Sequence, residues 1–177
     1  LPKIDESKMP DLPLSMLFSD MGWVMLRNSW SDNSTLLGIK CGFTWNHAHA
    51  DAGSFILFHQ GKNLIIDSGN SSYGRPEYTQ YYCQSEAHNV TLWNGKAQNR
   101  KDPYFGVKQE GHLYNLIDDG NLKYIFADAT GPTSRWFSRN YRHFLWISDV
   151  ILVIDDLESH DTGQFEWLLH YNCESKR

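Results

Sequence analysis

Ten short apolar runs, each closed by turn-forming residues, limit how this chain can fold. Gly22–Arg27 and Ser34–Thr44 flank a Ser-Asp-Asn turn and read as a hairpin. Gly53–His59 and Asn63–Asp67 flank Gln60–Lys62 and read as a second. After a polar, Tyr-rich loop over Ser68–Ala87, strands resume at Asn89–Trp93, Val107–Tyr114, Leu122–Asp128, Arg139–Ile147, Val150–Leu157 and Gln164–Tyr171. Asn94-Gly95, Asp118-Asp119-Gly120, Gly131-Pro132 and Ser148-Asp149 punctuate them. No stretch of ten residues carries a helical period. Short strands with turn chemistry between them predict an all-β fold, an antiparallel β-sandwich or stacked-sheet domain. Trp23, Phe55, Phe58, Phe126, Phe144, Trp146, Phe165 and Trp167 lie inside strand patterns and are expected in its core.

The 177 residues suit one substantial domain, with residues 1–16 as a Pro-containing linker or arm and 17–177 as the domain. Sixteen basic against 21 acidic residues give a net charge of −5. That balance excludes a nucleic-acid module or a polybasic membrane anchor, both of which need a basic surface. No apolar run reaches the ~18 residues of a membrane helix, and residues 1–13 lack the charged start and apolar centre of a signal peptide. Cys41, Cys83 and Cys173 are widely spaced and form no C-x-x-C pair, so they read as free thiols.

Chemistry concentrates between Thr44 and Trp93. In the run Asn46-His47-Ala48-His49-Ala50-Asp51-Ala52-Gly53-Ser54-Phe55, residues two apart project to one side of an extended chain. His47 and His49 can then share a pocket, with Asp51 following. Asp67 ends the apolar strand Leu64-Ile65-Ile66, where a carboxylate needs a partner. His88 precedes Asn89 and the apolar Val90-Thr91-Leu92-Trp93. Two His and one Asp make an N/N/O donor set suited to Zn²⁺ with an open fourth position. Geometry sets a condition, because a straight strand would leave His49 about 20 Å from Phe55 at ~3.3 Å per residue. Either the chain bends sharply between Asp51 and Ser54, where Ala52-Gly53 permits it, or these residues do not share a metal.

These residues, with Gly61…Leu64-Ile65-Ile66-Asp67-Ser68-Gly69, Tyr73, Ala87-His88-Asn89-Val90-Thr91 and Arg142…Asp149-Val150-Ile151-Leu152-Val153-Ile154-Asp155-Asp156, resemble the β-sheet domain of the heparinase II/III family of polysaccharide lyases. The resemblance runs from about Gly22 to Tyr171. It implies β-elimination on uronic-acid-containing polysaccharides such as heparan sulfate or alginate. It makes His49, Asp67 and His88 ligands of a structural zinc and His47 a catalytic residue of the groove. A loop tyrosine also reaches that groove, Tyr78 being favoured over Tyr73, Tyr81 and Tyr82. Tyr73, Arg75 and Asn89 would contact substrate, and Arg75, Lys96, Arg100 and Lys101 form a basic group around His88 that can meet a polyanion.

Full enzymes of that family place an N-terminal α/α toroid against the sheets. The toroid supplies further groove residues, so the resemblance implies that this chain is one part of a longer enzyme and has little or no lyase activity alone. It also implies a periplasmic or secreted bacterial setting. Two other readings are a non-catalytic carbohydrate-binding sandwich and a cupin-like metal enzyme. The cupin pattern expects a Glu soon after the second His, and Ala50–Ser54 contains none.

Overall fold

Period-two alternation decides what is buried in the computed structural model, which describes residues 12–43, 48–98 and 108–172. Along β2 (Trp23–Arg27), Val24 and Leu26 are fully buried while Trp23 faces outward. β3 (Thr35–Lys40) buries Leu37 and Ile39, and β4 (Ser54–His59) buries Phe55. With β1 (Ser15–Phe18) and β5 (Lys62–Ile65) these strands form an antiparallel sheet in sequential order. A second antiparallel sheet takes the order β10-β9-β8-β7, from β7 (His112–Asp118), β8 (Leu122–Asp128), β9 (Phe137–Ile147) and β10 (Val150–Ser159). β6 (Thr91–Trp93) pairs with β11 (Phe165–Trp167) in a small ribbon.

One core joins the two larger sheets. Val24, Leu26, Leu37, Ile39 and Phe55 of the first meet Leu113, Ile125, Ala127, Phe144 and Trp146 of the second. Each fully buried Leu, Ile or Phe contributes roughly 2 kcal/mol by removal from water. The sandwich expected from the sequence is therefore the observed architecture. Helical segments are short turns, Tyr78–Tyr82, Ser85–Ala87 and Thr130–Thr133 among them.

Some expectations change. β1 begins at Ser15, inside the stretch read as an arm. Trp23, Phe165 and Trp167 are 38%, 42% and 47% exposed rather than core. Their strands place them on outward positions, Trp23 beside Phe18 in the β1–β2 register. Cys41 and Cys83 are buried free thiols, and burial together with the nearby Asp128 charge pushes Cys41 up to about 12. Cys173 lies outside the described residues.

A buried cation ties the layers together. Arg142 of β9 is 3% exposed. Its Nε and Nη2 donate to the two carboxylate oxygens of Asp155 at 2.6 and 3.0 Å. Its Nη1 donates to the carbonyls of Gly53 at 2.9 Å and Asn89 at 2.7 Å. Removing one partner of such a pair leaves the other charge stranded, at a cost of about 3–5 kcal/mol. Arg142→Ala is therefore expected to lose about that much stability in urea unfolding. A loss below about 1 kcal/mol, the range of surface pairs, would show that this cation does not organise the fold.

Candidate functional site

The bend required of the sequence is present. Gly53 takes φ +84°, a left-handed conformation that glycine adopts without steric cost. The Ser54 N–H donates to the Asp51 carbonyl at 3.0 Å, and the Gly53 N–H to the Lys40 carbonyl at 2.8 Å. The turn reverses the chain after His49, so His49, Asp51, Ser54, Phe55, Asp67 and His88 all line one cavity of about 230 Å³.

Two backbone ties and one from a side chain bring the pieces together. The Ser68 N–H donates to the Ala87 carbonyl at 3.3 Å, joining the end of the Asp67 strand to the His88 loop. The Ala50 N–H donates to the Cys83 carbonyl at 3.0 Å, and Ser85 Oγ donates to the Ala50 carbonyl at 2.8 Å. The tyrosine loop is thereby pinned to the His49 segment.

Within the cavity, His88 is 1% exposed and its Nδ1 lies 2.6 Å from Asp67 Oδ2. In its neutral form His88 donates from Nδ1 to the carboxylate and keeps a lone pair on Nε2. That Nε2 is buried and has no hydrogen-bond partner among the described residues. The His49 ring stands beside it, with ring centres 5.2 Å apart. Tyr78, 8% exposed in a π-helical turn, meets the His49 ring edge-on at 6.1 Å. Tyr73 packs against Tyr78 at 4.8 Å and is largely exposed. Tyr81 instead sits at Ser68, with its hydroxyl 3.0 Å from Oγ.

The donor chemistry suits a metal: two imidazoles, a carboxylate and a buried nitrogen with no partner. As the side chains stand, Asp67 and His88 pair with each other, and no three His, Cys, Asp or Glu among the described residues share a metal position. Two imidazoles in the cavity, and a phenol packed edge-on against one of them, also supply proton donors and acceptors for acid–base chemistry.

Electrostatics follow from the packing. Burial pushes His49 down, the His88 and Lys40 charges push it further, and Asp51 and Asp67 oppose them. For Asp67, burial pulls upward. The His88 hydrogen bond and charge, the Gly69 N–H and the His49 charge together outweigh it and hold the carboxyl below its ordinary range.

Several expectations are corrected or extended. Asn89 is not available to substrate. It is 1% exposed, and its Nδ2 donates to the carbonyls of Phe55 and Ile66, both at 2.8 Å. Its Oδ1 accepts from the His170 backbone N–H at 2.6 Å and faces His170 Nδ1 at 3.1 Å. All four hydrogen-bonding positions of the amide are engaged. Both oxygens of Asp51 hold Lys40 Nζ, at 2.6 and 2.7 Å. Lys40, which also lines the cavity, was not singled out in the sequence. Its signal is a charge between Ile39 and Cys41 at an outward period-two position. Arg75 is exposed on the tyrosine loop. His47, Arg100 and Lys101 lie outside the described residues.

Comparisons with known proteins give a consistent result. A family model described as heparinase II/III-like, C-terminal, matches residues 10–176. A heparin-sulfate lyase of Bacteroides stercoris is 25% identical over 172 residues, covering 94% of this chain and 24% of the relative. A heparin-sulfate lyase of Bacteroides thetaiotaomicron is 30% identical over 121 residues, covering 61% of this chain and 17% of the relative. The crystal structure of heparan sulfate lyase HepC from Pedobacter heparinus superposes with a TM-score of 0.73 at 24% identity, covering 90% of this chain and 24% of that one. A crystal structure of heparinase III gives 0.71 at 19% identity, covering 92% of this chain and 25% of that one. At these identities the structures establish the shared fold. The chain spans about a quarter of the length of these relatives or less.

Both His49 and Asp67 are harder to protonate in the folded chain than in the unfolded one. Their contribution to stability is full above the unfolded values and is lost as pH falls through the folded ones. His49 acts first, below its ordinary 6.5, and Asp67 below its ordinary 3.8. The urea midpoint of the chain should fall as the pH drops below the ordinary 6.5 of a histidine, and His49→Gln should flatten that fall. An unchanged slope in the variant would remove His49 as its cause.

Proposed function

The chain belongs to the heparinase II/III-like family through that family's C-terminal domain, and from this we propose that it is the β-sheet part of a polysaccharide lyase. The reaction is β-elimination on a uronic-acid-containing polysaccharide. Heparan sulfate is the first substrate to test, since the relatives are named heparin-sulfate or heparan sulfate lyases. The supporting observation is the convergence of His49, Asp67 and His88, from separate stretches of the chain, around one cavity, with Tyr78 edge-on to the His49 ring.

A base removes the proton α to the uronate carboxylate, and the electron pair of that C–H bond forms the new double bond. The glycosidic C–O bond at the β position breaks, and its oxygen takes a proton from an acid. In this reading Tyr78 provides the acid hydroxyl, and His47 acts as base or charge stabiliser. Arg75 and Tyr73, exposed on the same loop as Tyr78, hold the anionic sugar. The bound substrate is completed on its other side by an N-terminal α/α toroid preceding this part of the protein, in a periplasmic or secreted setting.

His49, Asp67 and His88 would hold a structural zinc, and the partnerless Nε2 of His88 is the atom that most needs such a partner. Zinc would supply a fixed cross-link that orients its ligands rather than a reacting centre. The residues do the rest: Asp67 would exchange its hydrogen bond with His88 Nδ1 for the metal, and the Gly53 turn brings His49 to the cavity.

Elemental analysis of the purified chain should find one zinc. His49→Ala should reduce it to under about a tenth, as loss of a ligand commonly does, and should lower the thermal midpoint. Undiminished zinc in His49→Ala would end the ligand assignment. In the lyase with its toroid, Tyr78→Phe should lower kcat on heparan sulfate about 100-fold or more, the scale of a lost general acid. Products lacking an unsaturated uronate would overturn the elimination reading, and rapid turnover by the 177 residues alone would overturn the shared groove.

A further inference from the structure

We propose that Trp136, Lys96 and Arg135 form a second binding shelf, beside the candidate site, for the sulfate or carboxylate groups of an acidic sugar chain. The inference rests on the reading above that the ligand is an anionic polysaccharide.

Trp136 is held firmly. Its N–H donates to the Thr133 carbonyl at 2.9 Å, and its carbonyl accepts from the His160 N–H at 3.2 Å. Its indole stacks on Trp93, with ring centres 5.6 Å apart and planes 21° from parallel. Trp93 is itself buried and fixed from behind, since Gly163 approaches so closely that a Cβ there would lie 2.2 Å from Nε1. The shelf is therefore a rigid aromatic surface.

Two cations rest on that one ring. Lys96 Nζ lies 4.5 Å and Arg135 Cζ 4.9 Å from its centre. Both residues are exposed, and among the described residues neither forms an ion pair with a carboxylate. Glu166, across the ribbon, accepts instead from the Gly95 N–H at 2.8 Å. The aromatic quadrupole attracts each cation, but it cannot remove the repulsion between two like charges. An anionic ligand does both: it neutralises the pair and keeps the flat, weakly hydrated guanidinium and indole covered.

Position links this surface to the cavity. Lys96 stands two residues before Gln98, a span of ~7 Å at most. Gln98 Oε1 accepts the Ala52 N–H at 3.3 Å, and Ala52 adjoins Asp51 of the cavity wall. A polymer seated at His49 and His88 thus has a cationic aromatic surface along one short stretch of chain.

The test titrates the 177-residue chain with a size-defined heparan sulfate octasaccharide, and separately with sodium sulfate, by calorimetry. Lys96→Ala/Arg135→Ala should weaken octasaccharide binding about ten-fold, the scale of two lost charge-assisted contacts. It should also flatten the salt dependence and leave the thermal midpoint unchanged. Lys96→Arg should retain binding. An octasaccharide affinity and salt dependence unchanged in the double variant would overturn the shelf and leave the two cations as ring packing. Absence of octasaccharide binding by the wild type, or sulfate ion binding as tightly as the octasaccharide, would overturn it as well. Failure of the lyase to form unsaturated products, with octasaccharide binding still dependent on Lys96 and Arg135, would sink the elimination reading and keep the shelf.

Discussion

Arg142 is the interaction on which the site's geometry depends. Taking a guanidinium out of water is costly unless its N–H groups find partners. Here Asp155 takes the charge bidentately, and two backbone carbonyls take the other arm. Those carbonyls are not arbitrary. Gly53 closes the bend that returns the chain after His49, and Asn89 directly follows His88. One side chain from the second sheet therefore fixes both segments that deliver the site's imidazoles. The rings of Phe55 and Trp167, 5.7 and 5.8 Å from the guanidinium, shield it from water on the way.

Asn89 extends the same logic by one layer. Its amide joins Phe55 of β4, Ile66 just before Asp67, and His170 after β11. Asp67 and His88 thus meet because Ile66, before the first, is hydrogen-bonded to Asn89, after the second, and Ser68, after the first, to Ala87, before the second. Low dielectric makes such a network strong when fully satisfied and damaging when partly so. The arrangement places a loop-borne site on a rigid support, so that a ligand entering the cavity meets side chains already facing one another. Rigidity of this kind lowers the ordering cost of binding.

Strands were legible because burial imposes period two, and a slip of one residue would turn every side chain over. The bend after His49 was legible too, as a distance that a straight strand cannot bridge. Other features depend on contacts far apart in sequence. Trp23 and Trp167 read as core by residue type, yet their direction follows from neighbouring strands. Asn89 read as a substrate contact because it adjoins His88, but its partners lie 34, 23 and 81 residues away. Tyr78 could be preferred only weakly among four loop tyrosines. A π-helical turn, which adds a residue to the helical repeat, is what turns it onto His49. Lys40 escaped notice because its partner, Asp51, arrives through the same bend.

Net charge is a poor guide to what such a domain can hold. The chain carries −5, which by itself disfavours any polyanion. Yet charges interact over about 8 Å at physiological salt, so the local balance decides. Asp51, Asp67, Asp118 and Asp155 are each engaged by a basic partner within the fold. Asp156 and Glu158 face Arg139 on the outer edge of the second sheet. Lys96 and Arg135 are placed differently, for they share an aromatic ring and, among the described residues, pair with no acid. An acidic protein can therefore present a locally cationic surface where its carboxylates are already engaged internally, and the pairing pattern, more than the sum, sets where an anionic polymer can lie.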